Sequence, residues 1–177
     1  MSIRRKTATF VGTVVLAAIS CLVTSPAAHA VDGGAVQIQF RNGLCLDVPN
    51  SDARSGQFVQ QWGCNGTDAQ VWEITAVDAT HFKIHSSIHY SLCLNNWEGG
   101  DQTGNHIVLY NCDVTDGDGQ FNLVNYNGGT WPLYELQPKS AAKNCVNMWG
   151  GDAWGNQARL YPCINGASNE TINLNYL

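Results

Sequence analysis

Val36-Gln37-Ile38-Gln39-Phe40 alternates apolar and polar residues one for one. That is the period of a strand with one face buried, and Asn42-Gly43 then marks a tight turn. Phe82, Ile84 and Ile88 alternate in the same way against His81, Lys83 and His85. Asn65-Gly66, Asn127-Gly128 and Asn165-Gly166 punctuate the later segments. After the first thirty residues no window carries a convincing helical period. The pattern predicts strands and turns throughout.

Cysteines divide that pattern into three. They fall at 45 and 64, 93 and 112, and 145 and 163, separations of 19, 19 and 18 residues. The second unit reads Cys93-Leu94-Asn95-Asn96-Trp97, Gly99-Gly100-Asp101, Gly104-Asn105, then Leu109-Tyr110 before Cys112. The third reads Cys145-Val146-Asn147-Met148-Trp149, Gly150-Gly151-Asp152, Gly155-Asn156, then Leu160-Tyr161 before Cys163. The first is a cousin, with Cys45-Leu46-Asp47-Val48, Gly56-Gln57 and Gln61-Trp62 before Cys64. Triplication selects one of the 15 connectivities open to six cysteines, each pair closing inside its own repeat. Loops of this length contribute roughly 3 kcal/mol each in the chain-entropy picture. Four short strands fit each repeat, which predicts an all-β, closed, pseudo-threefold barrel with few exposed edges.

The first thirty residues stand apart. Arg4, Arg5 and Lys6 precede an apolar run from Phe10 to Val23, and Ala28-His29-Ala30 follows. This is the pattern of a cleaved export signal, and the run, 14 residues long, falls short of the ~20 a membrane span needs. A signal peptide over 1–30 and a secreted domain over 31–177 are expected, with repeats near 35–78, 79–126 and 127–177. Export fits an even number of cysteines in an oxidising compartment once Cys21 is removed with the leader.

Cleavage would remove three of the nine basic residues and none of the fourteen acidic ones, leaving a net charge of −8. That sign disfavours nucleic acid and acidic bilayers as partners. No C-x2-C pair, H-E-x-x-H, G-x-S-x-G or phosphate loop occurs. His81 and His85 lie four apart in a strand, about 13 Å, too far to share an ion. No metal, cofactor or catalytic residue is expected, and the chain is expected to be a non-catalytic monomer.

Cys-Leu-Asp-Val at 45–48, the aromatic two residues before the second cysteine, and Gln70-Val71-Trp72 together resemble a ricin-type repeat of the Q-x-W kind. The resemblance spans about residues 35–177, and the motif decays to Gln120-Phe121-Asn122 and then Glu170-Thr171-Ile172. It implies a β-trefoil of three four-stranded repeats, and a secreted, lectin-like domain that binds glycan or polysaccharide hydroxyls. Trefoils host many functions, so a protein-binding trefoil, such as a protease inhibitor or toxin accessory subunit, is the alternative.

Carried onto this chain, the implied first site has Asp47 as carboxylate, Gln60 beside it, Trp62 as ring platform and Gln70 as the motif amide. A carboxylate accepts hydroxyl hydrogens in charge-assisted bonds, and an aromatic face covers the sugar's C–H face. The second site has Asn95, Tyr110 and Gln120, with Val108 in place of the glutamine. The third has Asn147, Tyr161 and Asn169, with Arg159 and Glu170. The first repeat alone pairs a carboxylate with an indole, and Asn95→Asp or Asn147→Asp is expected to leave binding unchanged or strengthen it. Asp47 as a turn anchor bonded to backbone amides is the competing reading. Trp72 is expected in the core. Trp62, Tyr110 and Tyr161 are as readily packing residues as platforms, and one of Trp97 and Trp149 is expected at the surface.

Overall fold

A computed structural model describes residues 33–126 and 133–177. The proposed leader and the expected Asn127-Gly128 turn lie outside the described residues. Twelve strands occur among these: β1 Ala35–Phe40, β2 Leu44–Asp47, β3 Gln60–Gly63, β4 Val71–Ala76, β5 Phe82–Ser86 and β6 Leu92–Asn96, then β7 Ile107–Asn111, β8 Phe121–Tyr126, β9 Leu133–Pro138, β10 Asn144–Met148, β11 Ala158–Pro162 and β12 Ile172–Tyr176.

Six of them form a closed ring. β1 pairs with β4, β4 with β5, β5 with β8, β8 with β9, β9 with β12, and β12 returns to β1 along Val36–Phe40. Closure leaves the ring without free edges, as the strand pattern predicted. The remaining strands make three hairpins, β2–β3, β6–β7 and β10–β11, one per repeat. Each hairpin is locked by its own disulfide, Cys45–Cys64, Cys93–Cys112 and Cys145–Cys163, with Cα separations of 5.0–5.1 Å.

The core is continuous from ring to hairpins. Ile38, Ile74, Ile84, Phe121, Leu136 and Ile172 of the ring belong to one buried cluster with Leu46, Leu94, Val146 and Leu160 of the hairpins. Trp72 lies fully buried in it, and its indole N–H donates to the Leu46 carbonyl at 3.1 Å. Satisfying that polar atom lets the largest side chain sit in the core at no hydrogen-bonding loss.

The hairpin loops interlock in a threefold pattern. Gly56 N–H donates to the Leu109 carbonyl, Gly104 to Leu160 and Gly155 to Gln61, at 2.8, 2.8 and 2.9 Å. All three glycines have φ between 80° and 98°, the left-handed region where a side chain would be strained. Each loop therefore borders the aromatic residue two before the second cysteine of the next repeat: Tyr110, Tyr161 and, closing the circle, Trp62.

Candidate functional site

Asp47 ends β2 and Gln60 opens β3, and the two stand opposite one another in the hairpin register. The Gln60 amide donates to Asp47 Oδ2 at 2.8 Å. Gln70 comes from the short helical turn before β4, and its amide donates to Asp47 Oδ1 at 3.2 Å and to the Gly63 carbonyl at 2.9 Å. Gln70 Oε1 accepts from the Asn65 backbone N–H at 2.8 Å. The motif glutamine thus fixes the carboxylate and the loop at once. Both described side-chain partners of Asp47 are amides, not the backbone N–H groups of the turn-anchor reading.

Asp47 is 4% exposed. Burial raises its pKa above the usual carboxylate range, while the Gln60 and Gln70 hydrogen bonds pull it back. With Gln60, Trp62, Asn65, Thr67 and Ala69, among others, Asp47 lines a cavity of about 350 Å³. Trp62 is 38% exposed and forms the cavity's aromatic edge. A buried acceptor, amides and an indole around a shallow opening can bind a group of hydroxyls on a partly apolar ring.

The second repeat assembles differently. Asn95 is buried opposite Val108, which offers no polar group. Gln120 donates to the Thr115 carbonyl and accepts from Lys139 Nζ, at 3.1 and 2.9 Å. Tyr110 meets Trp97 edge-on with ring centroids 5.4 Å apart.

In the third repeat the implied polar residues bind one another. Asn147 donates to Glu170 Oε2 at 2.8 Å, and Asn169 donates to Asn147 Oδ1 at 3.0 Å and to the Met148 carbonyl at 2.8 Å. Glu170 Oε1 accepts from the Ile164 N–H at 2.6 Å. Glu170 is fully buried, and its pKa is pushed up to about 7. Burial is the main cause, opposed by those two hydrogen bonds and reinforced by the nearby Glu135 carboxylate. An acid at position 147 would face this carboxylate directly, so the expectation for Asn147→Asp is corrected: repulsion and desolvation would oppose it. Tyr161 stands edge-on to Trp149 at 6.0 Å, and the Arg159 guanidinium lies 5.4 Å from the Trp149 ring.

Trp97 and Trp149 are both exposed, at 50% and 41%. His85 is buried, stacked on Tyr90 with centroids 4.3 Å apart, so it packs instead of facing solvent. Sequence reasoning missed Trp154, which is 62% exposed and leans on Trp62 with centroids 5.1 Å apart and planes tilted by 52°. Its signal was its place before Gly155, where the other repeats have Ser55-Gly56 and Thr103-Gly104.

Residues 27–110 match the model of the ricin-type β-trefoil lectin domain-like family. The ring closed by three hairpins continues that architecture through Tyr176. The chain folds as a β-trefoil, and residues 27–110 of it resemble the ricin-type family.

A β-galactoside-specific lectin 2 from Viscum album is 39% identical over 80 residues, which cover 44% of this chain and 12% of that lectin. The chain therefore spans a small part of that curated relative. Among solved structures, the designed threefold-symmetric protein ThreeFoil matches this trefoil with a TM-score of 0.73 at 20% identity, over 81% of this chain and 99% of that one. The Macrolepiota procera ricin B-like lectin, solved in complex with lactose, matches with a TM-score of 0.68 at 13% identity, over 84% and 99%. Likenesses at these identities establish the fold of the trefoil.

Proposed function

We propose that this trefoil is a secreted, non-catalytic carbohydrate-binding protein whose principal site lies in the first repeat. The observation that carries the reading is the cavity in which Asp47, held by two glutamine amides, opens beside the Trp62 indole. The family match and the lactose-bound relative support sugar as the ligand class. The carboxylate accepts hydroxyl hydrogens, Gln60 and Asn65 add amide groups, and Trp62 covers the ring face.

The reading needs no metal. Binding is weak at a shallow polar site and is strengthened by multivalent display of the glycan. The second and third repeats contribute less, because the second pairs Asn95 with the apolar Val108 and the third ties Asn147, Asn169 and Glu170 to one another.

The leader pattern and three disulfides support export. A glycan array probed with the purified protein tests the function. Retention on one glycan class, lost with Trp62→Ala, is the expected result. A silent array contradicts it.

A further inference from the structure

Trp154 belongs to the third repeat but sits at the edge of the first repeat's site. Its placement follows from the interlocked loops. Gly155 N–H donates to the Gln61 carbonyl, and Gln61 N–H donates to the Asn156 carbonyl at 3.0 Å. Where the other repeats have Leu109 and Leu160, the first has Gln61, fully buried. Its side-chain amide donates to the Gly151 and Ala153 carbonyls at 2.6 and 2.8 Å. Asp152 is tied to Asn42 and Ser168 at 2.9–3.0 Å. The loop carrying Trp154 is thus fixed from both sides before any ligand arrives.

The neighbouring glycines leave room for the indole. A Cβ at Gly63 would lie 2.9 Å from Trp154 Cζ2, so the ring rests on the bare backbone of β3. A Cβ at Gly155 would be 3.7 Å from Trp62 Cζ3 and 3.9 Å from Gln60 Oε1, which puts this loop against the site's own residues. The threefold comparison makes the arrangement specific. The positions equivalent to Trp154 are Ser55, bordering Tyr110, and Thr103, bordering Tyr161. Among the described residues, the first repeat's platform alone gains a second ring from the adjoining hairpin loop.

We propose that Trp62 and Trp154 form a composite site spanning the first and third repeats, which takes two or more consecutive residues of a sugar chain. Trp62 and Asp47 hold one ring, and Trp154 covers the next. Two fixed planes tilted by 52° suit successive rings of a twisted oligosaccharide better than a single monosaccharide. The inference rests on the carbohydrate reading above and names the ligand's form: an oligomeric chain.

The test is a chain-length series, from monosaccharide to tetrasaccharide, of galactose, glucose, mannose and xylose, titrated against the purified protein, Trp154→Ala, Trp154→Phe and Trp62→Ala. The parent should gain roughly tenfold in affinity between one and two or three residues. Trp154→Ala should abolish that gain with monosaccharide affinity unchanged, Trp154→Phe should retain part of it, and Trp62→Ala should lose both. A parent without the gain, or a Trp154→Ala that keeps it or loses the monosaccharide as well, overturns the composite site. No binding at any length in any series overturns the carbohydrate reading and this inference with it.

Discussion

Asn147 donates to Glu170 at 2.8 Å where, in the first repeat, Gln70 donates to Asp47 at 3.2 Å. Acid and amide have exchanged places across the same contact. Either arrangement gives one charged acceptor and one amide donor, so each is satisfied while its neighbours stay packed. In the first repeat the acid lines the cavity. In the third the acid is buried beneath, and only amides remain at position 147 and its neighbour Asn169.

The exchange predicts non-additivity. Asn147→Asp alone sets two carboxylates against each other in a buried site and should lower stability by about 2 kcal/mol or more. Glu170→Gln in the same chain rebuilds the polarity of the first repeat and should recover most of that loss. Urea unfolding of the two single variants and the double variant measures the coupling, and additive effects would remove the pairing argument.

Glu170 also gives stability a pH dependence. Its pKa is about 7 in the folded protein, above the ordinary 4.5. The folded state therefore holds more protons than the unfolded state between these values. Stability is greatest below about pH 4.5 from this group alone and falls as pH rises through 7, by about 3 kcal/mol. Burial raises Glu135 and Asp47 as well, which adds to the same direction. Thermal melts from pH 4.5 to 8 should show Tm declining, with a flatter profile for Glu170→Gln. An unchanged profile in that variant would mean that Glu170 is ionised throughout.

In the proposed site Asp47 serves as ligand group as well as structural acceptor. Removing it in Asp47→Ala strands the Gln60 and Gln70 amides and should destabilise the fold by about 1–3 kcal/mol. Because Asp47 is buried, this variant is not a clean binding probe. Asp47→Asn keeps the shape and should weaken sugar binding roughly tenfold or more with a smaller stability loss. Calorimetric titration beside a thermal melt separates the two effects.

Chelation should leave binding intact. Glu135 and Glu170 approach Cys145 and Cys163, but both sulfurs are held in a disulfide and offer no thiolate ligand. Retention on an immobilised glycan before and after EDTA checks this, and loss in EDTA would contradict the metal-free reading.

The repeats, the disulfide pairing and the burial of Trp72 were legible because each is written locally: cysteine spacing, strand alternation and a three-residue motif. The contact of Trp154 with Trp62 was not, because the two lie in different repeats and only closure of the trefoil brings them together. Gln61 was hidden for the same reason, since its amide acts on a loop ninety residues away. Glu170 was visible as a departure from the Q-x-W pattern. It made sense only beside Asn147, whose own departure it complements.

The central claim is that the first repeat binds sugar through the cavity between Asp47 and Trp62. Glycan-array retention of the purified protein, compared with Trp62→Ala, Tyr110→Ala and Tyr161→Ala, tests it most directly. The account predicts that Trp62→Ala alone abolishes most of the retention and that the two tyrosine variants keep it. Full retention by Trp62→Ala, with loss in Tyr110→Ala or Tyr161→Ala, would place the principal site in another repeat and contradict the claim.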